Sequence, residues 1–420
     1  MSDLVAVEVG DTAIPGPTLD DFEQARRTVR GVVETTPMQS SRSLSDELGS
    51  QVWLKCENLQ RTGSYKIRGA YNRLAHLTEE ERAHGVVAAS AGNHAQGVAF
   101  AARQLGIRST IFMPIGVALP KLSATREYGA DVELSGTVVD ETLLAAAQFA
   151  RDTGAIFIPP FDHPDIVAGQ GTLGLEILDQ RPDVDTIIIP IGGGGLISGV
   201  ASAVKQKAAQ LGRDVRIIGV QAANASAYPV SLINGQPTEI KIAPTIADGI
   251  AVSKPGTLNF EIVRDVVDEV ITVEENDIAR ALLVLLERAK LVVEPAGAVS
   301  VAAILAGKVH NAGTTVAILS GGNIDPMMME RIISHGLAAS ERYLKLRIPL
   351  PDRPGQLALT AEIVANSNAN VVEVLHTRHG SGLQISEVEL ELHIETRGPE
   401  HAEIVLHNLR EAGFRPRVDF

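Results

Sequence analysis

Thiols are almost absent from this 420-residue chain, in which Cys56 is the only cysteine. A single thiol builds neither an intrachain disulfide nor a zinc or iron–sulfur centre held by thiolates, and that usage fits a reducing cytoplasm, the expected location. Positive charge is in deficit as well. Lys and Arg number 37 against 51 Asp and Glu, a formal net charge of -14 that repels polyphosphates and anionic membrane surfaces. Aromatic residues make up 4% and nowhere interleave with a basic run, so nucleic acid is not an expected partner. The longest uncharged run, Thr186 to Val204, has the length of a membrane span but holds Pro190, consecutive glycines and two serines. Strand, loop and helix are expected there rather than a transmembrane segment. The N-terminal MSDLVAVEVGD is acidic and lacks the basic and apolar pattern of a secretory or transit peptide. Tandem repeats and low-complexity segments are missing too, and the first 17 residues are expected to be poorly ordered.

What is present is a globular composition, 45% apolar and 21% charged, with enough chain for more than one domain and a sizeable core. From about residue 50 to 340, short β-branched runs alternate with longer stretches of helical spacing. Val86 to Ala89, Ser109 to Met113, Asp131 to Leu134, Thr186 to Pro190, Val215 to Val220 and Thr314 to Leu319 read as strands. The alternation predicts an α/β fold with parallel sheets flanked by helices and ligands at the C-terminal ends of strands. Composition shifts near Ser340. Beyond it the order is strand (Tyr343 to Pro349), helix (Gly355 to Asn366), strand (Asn370 to His376), strand (Ile385 to Ile394), helix (Pro399 to Glu411) and strand (Phe414 to Val418). That βαββαβ sequence is the ferredoxin-like plan and predicts a separate small domain over 343–420.

Five motifs carry candidate chemistry. Lys66, in Ser64-Tyr65-Lys66-Ile67-Arg68, sits just inside an expected helix start. It is either a Schiff-base former, its amine freed by burial or by a neighbouring charge such as Arg68, or an ordinary solvated helix lysine. Ser90-Ala91-Gly92-Asn93-His94 follows a strand and opens a helix. Its exposed N–H groups suit a carboxylate, Asn93 adds a donor for a ring hydroxyl, and the alternative is plain turn and capping chemistry. Gly192-Gly193-Gly194-Gly195-Leu196 follows an apolar strand and lets backbone amides wrap a phosphate with no Cβ in the way. It has neither the P-loop lysine nor the G-x-G-x-x-G spacing, which demotes nucleotide readings such as a dehydrogenase. Ser320, after the strand ending at Leu319, is either a partner for a pyridine nitrogen or a capping serine. Glu294, before a helix, is either a cofactor-side acceptor or a surface acid. Together, lysine, phosphate loop, asparagine turn and serine describe a pocket for pyridoxal 5'-phosphate.

In content, order and spacing, SYKIRGA (64–70), SAGNHAQGVA (90–99), GGGGLISG (192–199), EPAGA (294–298) and SGGNID (320–325) resemble the signatures of fold type II pyridoxal-phosphate enzymes. The resemblance is specifically to threonine dehydratases (threonine ammonia-lyases), over about residues 20 to 340. It implies a tryptophan-synthase-β-like catalytic region over 18–340, with a smaller subdomain of about 55–160 inserted in the larger one. It also implies Lys66 as covalent anchor and catalytic base, Tyr65 where the family commonly packs a phenylalanine beside the ring, and Asn93 at the ring hydroxyl. Gly192, Gly193, Gly194, Gly195 and Leu196 would hold the phosphate, and Ser320 would meet the pyridine nitrogen. Glu294 falls among the cofactor-side residues. The turn Ser90, Ala91, Gly92, Asn93 and His94 would take the substrate carboxylate. The implied reaction is dehydration and deamination of L-threonine to 2-oxobutyrate and ammonia, with L-serine to pyruvate alongside, as in isoleucine biosynthesis.

Two alternatives stand beside it: a serine racemase of the same fold, and an amino-acid sensor without chemistry. Racemases resembling this family carry a second serine where this chain has Ala91, which leaves no visible acid for the opposite face of the substrate. They also ligate a divalent ion through acidic side chains where this chain shows Gln221 and Ala227, so no protein-only metal site is expected. Residues 343 to 420 resemble an ACT domain, a regulatory module that commonly binds amino acids between subunits. On that likeness Asp352, Gly355 and Leu357 are candidate contacts for an amino-acid effector, the other reading being a domain that only pairs subunits. A homodimer or homotetramer is the expected assembly.

Overall fold

The computed structural model describes residues 16–339, 341–378 and 386–419. The poor order expected of the first 17 residues falls mostly outside them, although Pro17 is buried and its carbonyl accepts from Gln206. The chain divides into two compact units, one running to Asp325 and one from Pro326.

The first unit holds two sheets. The larger has the spatial order Met38–Ser40, Val52–Cys56, Thr315–Leu319, Thr186–Pro190, Arg216–Ala222 and Glu269–Val273. All its pairs are parallel except that of Met38–Ser40 with Val52–Cys56. The smaller sheet is wholly parallel, in the order Asp131–Leu134, Ser109–Met113, Val86–Ala89 and Ile156–Phe157. A central parallel strand is covered on both faces, which explains why Thr186–Pro190 is buried at every position and apolar but for Thr186, whose hydroxyl donates to the Ala312 carbonyl.

Helices Pro164–Gln180 and Gly195–Gln210 cross closely because glycines face each other. A Cβ at Gly199 would lie 2.4 Å from the Val167 carbonyl oxygen, and one at Gly174 would lie 2.8 Å from that of Val200. That approach seats the start of the second helix against the core. Among the described residues no helix is long and apolar enough to cross a membrane.

In the second unit the strands run antiparallel in the order Asn370–Thr377, Glu387–Glu395, Tyr343–Pro351 and Arg417–Asp419, with helices Gln356–Asn366 and Pro399–Glu411. Here burial alternates along Tyr343–Pro351 and Glu387–Glu395, as a sheet covered on one face requires.

Several boundaries differ from the sequence expectation. The last strand begins at Arg417 rather than Phe414, because Phe414 is spent closing the preceding helix through its N–H to the Leu409 carbonyl. The strand expected from Ile385 starts at Glu387, and Ile385 itself lies outside the described residues. Strands Met38–Ser40, Val52–Cys56, Ile156–Phe157 and Glu269–Val273 were not anticipated. In Val52–Cys56 the apolar run is broken by Lys55, which is fully buried because its ammonium bonds the Thr36 carbonyl, Glu176 and Gln180.

Candidate active site

The strand ends and turns of the first unit enclose a cleft of about 620 Å³. Lys66 is the first residue of helix Lys66–Ala75, and its approach is fixed by the Tyr65 N–H donating to the Ser320 carbonyl at 3.1 Å. Its ammonium donates to the Pro160 carbonyl at 2.9 Å and stands 5.4 Å from the Tyr65 ring centroid. Desolvation by the cleft walls pulls the Lys66 amine down to about 8, against Glu294, whose charge works to keep the proton on. Lying in the cleft with its ammonium on the Pro160 carbonyl, Lys66 is not an ordinary outward-facing helix lysine.

Arg68, expected to act on Lys66 by its charge, points elsewhere. Its guanidinium is buried between Glu57, at 2.8 and 2.9 Å, and Glu176 at 3.0 Å. Residues two apart lie about 200° apart around a helix, so the two side chains leave on opposite sides.

The turn Ser90, Ala91, Gly92, Asn93 and His94 lines the same cleft at the start of helix Asn93–Leu105, where first-turn N–H groups have no intrahelical acceptor. The His94 ring donates from Nε2 to the Ile158 carbonyl at 3.0 Å, and burial, then the charge of Lys66, lowers it to about 3. Its imidazole therefore stays neutral, with Nε2 committed to that carbonyl.

Asn93 is held at both ends. Its Nδ2 donates to Glu294 at 2.6 Å, and its Oδ1 accepts from Asn323 at 2.8 Å. The sequence reading gave Asn93 to a ring hydroxyl; one amide N–H is instead spent on Glu294, leaving the other. Glu294 is 4% exposed, which excludes the surface-acid reading. Burial, then Asp248, raises its carboxyl to about 7 against Lys121, Asn93 and Lys66.

Gly192, Gly193, Gly194, Gly195 and Leu196 form the opposite wall at the head of helix Gly195–Gln210. A Cβ at Gly193 would lie 2.4 Å from the Phe161 ring, and Gly194 has φ +106. Neither position tolerates a side chain. Among the described residues no main-chain carbonyl accepts the N–H of Gly192, Gly193 or Gly194. Ser320, at the end of Thr315–Leu319, is 3% exposed and completes the lining. Every cofactor-side and carboxylate-side residue drawn from the five motifs thus reaches one cleft.

The sequence reading missed Pro160, Phe161, Lys121 and Asp248, which also line it. Lys121, on helix Leu119–Glu127, pairs with Asp248 at 3.1 Å. A single lysine on a polar helix gives no sequence signal, and Asn323, although inside a quoted motif, was assigned no role.

Gln221 is fully buried with both amide atoms engaged, to the Ile191 carbonyl and the Tyr228 N–H. Among the described residues no group of three or more His, Cys, Asp or Glu is placed to hold a metal ion. In the second unit Gly355 has φ +91 and precedes helix Gln356–Asn366, Leu357 is exposed, and Asp352 pairs with Arg378 at 3.6 Å.

Residues 29–321 match the family described as pyridoxal-phosphate dependent enzyme. L-threonine ammonia-lyase of Thermotoga maritima is 48% identical over 402 residues, covering 96% of this chain and 99% of that one. Maize serine racemase superposes with a TM-score of 0.70 at 34% identity, covering 78% of this chain and 99% of that one. The processed form of threonine deaminase isoform 2 from Solanum lycopersicum does so with 0.69 at 36% identity, covering 76% and 95%.

Proposed function

Because the chain belongs to the pyridoxal-phosphate-dependent enzyme family, we propose that it eliminates water from L-threonine, after which the released enamine tautomerises to an imine whose hydrolysis by water gives 2-oxobutyrate and ammonia. The observation that carries this is the convergence on one cleft of the Lys66 amine, a glycine loop with no room for side chains, and Ser320. These residues fit the cofactor. The loop has Phe161 and Tyr228 where Cβ atoms would go and presents N–H groups without acceptors, the chemistry a phosphate needs. When bound, the cofactor supplies an electron sink for the pair left on the substrate Cα.

The chain's own residues do the rest. The Nζ of Lys66 takes the Cα proton, and a neutral amine is the competent form. The N–H groups of Ala91, Asn93 and His94 hold the carboxylate, since that of Ser90 donates to the Phe112 carbonyl and that of Gly92 to the Ser90 hydroxyl, and the Cα–H bond then faces one base. Glu294, near 7, holds or releases a proton beside Asn93 without leaving the cleft. Ser320 would offer the pyridine nitrogen a hydroxyl rather than a carboxylate, which would not force a proton onto the ring.

Purified protein supplied with L-threonine is expected to release a 2-oxo acid, and with L-serine to form no D-serine, since Ala91 brings no acid to the second face. D-serine formation at a rate matching oxo-acid release would instead support the racemase reading.

The lowered lysine also sets a pH dependence. Attachment of the cofactor to cofactor-free protein needs the unprotonated amine, so its rate should climb with pH up to about 8 and level off above. A rate still climbing tenfold per unit past pH 9 would contradict the desolvated lysine.

For the second unit the reading that we carry forward is an amino-acid-binding module with contacts at Asp352, Gly355 and Leu357. Titration with isoleucine and valine should shift the activity or the thermal midpoint. If neither amino acid moves either one, the module serves only to pair subunits.

A further inference from the structure

We infer that Gln221 and Tyr228 are positioning residues for the glycine loop, turning the carbonyls of Ile191 and Gly193 away from the cleft so that the N–H groups of Gly192 and Gly194 face a phosphate. The inference rests on the reading of Gly192 to Leu196 as the phosphate cradle.

A run of four glycines is the most mobile backbone a chain can build, and it has no side chains of its own with which to fix itself. Whatever orients its peptide groups must come from outside the loop. Two fully buried residues do so. Gln221 donates from Nε2 to the Ile191 carbonyl at 3.4 Å and accepts the Tyr228 N–H on Oε1 at 2.9 Å. The Tyr228 hydroxyl donates to the Gly193 carbonyl at 3.2 Å, and the Gly256 N–H reaches the same oxygen at 3.1 Å.

In a planar trans peptide the C=O and N–H point to opposite edges. The carbonyl of Ile191 shares its peptide with the N–H of Gly192, and that of Gly193 shares its peptide with the N–H of Gly194. Anchoring both carbonyls on the protein side therefore turns both N–H groups the other way. Gly192 and Gly194 line the cleft, whereas neither Gln221 nor Tyr228 does. The phenol also stands where a side chain at Gly194 would be, 1.9 Å from its Cβ position, so the brace and the glycine require each other.

Flipping either peptide would strand a buried carbonyl or a buried donor, which keeps the loop in one arrangement before the ligand arrives. Burial alone raises the Tyr228 hydroxyl far out of the physiological range, with Asp162 adding to it, so the donor stays protonated.

The test uses the full chain, stripped of cofactor and titrated separately with pyridoxal 5'-phosphate and with pyridoxal, which lacks the phosphate. Wild type should bind the phosphorylated form far more tightly. Tyr228→Phe, which removes only the hydroxyl, should weaken pyridoxal 5'-phosphate about tenfold while leaving pyridoxal within about twofold. If that variant yields no folded protein by circular dichroism, Gln221→Met, which releases the Ile191 carbonyl at nearly constant volume, should give the same selective loss. Equal weakening of both ligands, or none, would overturn the brace while the phosphate cradle stood. A wild type that does not distinguish the two ligands would overturn the cradle and the brace together.

Discussion

Lys66→Ala is expected to fold as the parent does and to turn threonine over at least about 10⁴-fold more slowly. The size follows from how little else in the cleft can replace it. Lys121 is neutralised by Asp248 at 3.1 Å, and the ring of His94 is committed to the Ile158 carbonyl. Glu294 is bonded to Asn93 and titrates near neutrality, so it is a poor substitute for an amine that must both anchor and accept a proton. Folding should survive because the Lys66 ammonium has one protein hydrogen bond, to Pro160, and its desolvation is a cost that the alanine removes. Two measurements check it: 2-oxo acid release, and the fixing of cofactor to protein by borohydride, which should vanish in the variant. Oxo-acid release within tenfold of the parent would mean that another group is the base.

Arg68→Leu, two residues along, is expected to cost about 3–5 kcal/mol of stability. The guanidinium lies between two carboxylates, Glu57 fully buried and Glu176 13% exposed. Burial alone would push the Glu57 carboxyl up, but Arg68 first, then Lys55 and the Thr36 hydroxyl, hold it below the usual carboxylate range. Removing Arg68 leaves two acids facing Lys55 alone, which burial already pulls towards losing its proton in spite of Glu176 and Glu57. The sign with pH follows. A depressed carboxyl stabilises the fold above its ordinary value near 4.5 and loses that contribution as pH falls through its folded value. The gap between parent and variant should therefore be widest near pH 7 and narrow as the acids protonate. Denaturant melts at pH 7 and below pH 5 would show it. A loss under about 1 kcal/mol at pH 7 would mean that Glu57 finds water or another partner.

The two residues show where sequence reading succeeds and where it stops. Lys66, the Ser90 to His94 turn, the four glycines and Ser320 were legible because each is a local pattern with a local reason. A strand ends, small residues free the backbone, a helix begins, and its first N–H groups have no intrahelical acceptor. Thr186–Pro190 and the βαββαβ order were legible for the same reason, since periodicity 2 and a continuous apolar run both follow from which faces are covered. Arg68 was assigned to the wrong neighbour because nearness in sequence was taken for nearness in space, when a helix sends residues two apart to opposite sides. Lys55 hid a strand, since a charge in an apolar run reads as exposure until Glu176, 121 positions away, is seen to meet it.

By itself, then, the sequence determined the class of fold, the order of its parts and the kinds of group that chemistry would need, all of which depend on residues within a turn or two of one another. Only the tertiary structure decided which of those groups meet. It brought Glu294 to Asn93 across 201 positions and Tyr228 to Gly193 across 35, and it took Arg68 away from Lys66. Pairings of that kind depend on how strands order in a sheet and how closely helices cross. Packing of the whole core sets both, and no short stretch of chain contains them.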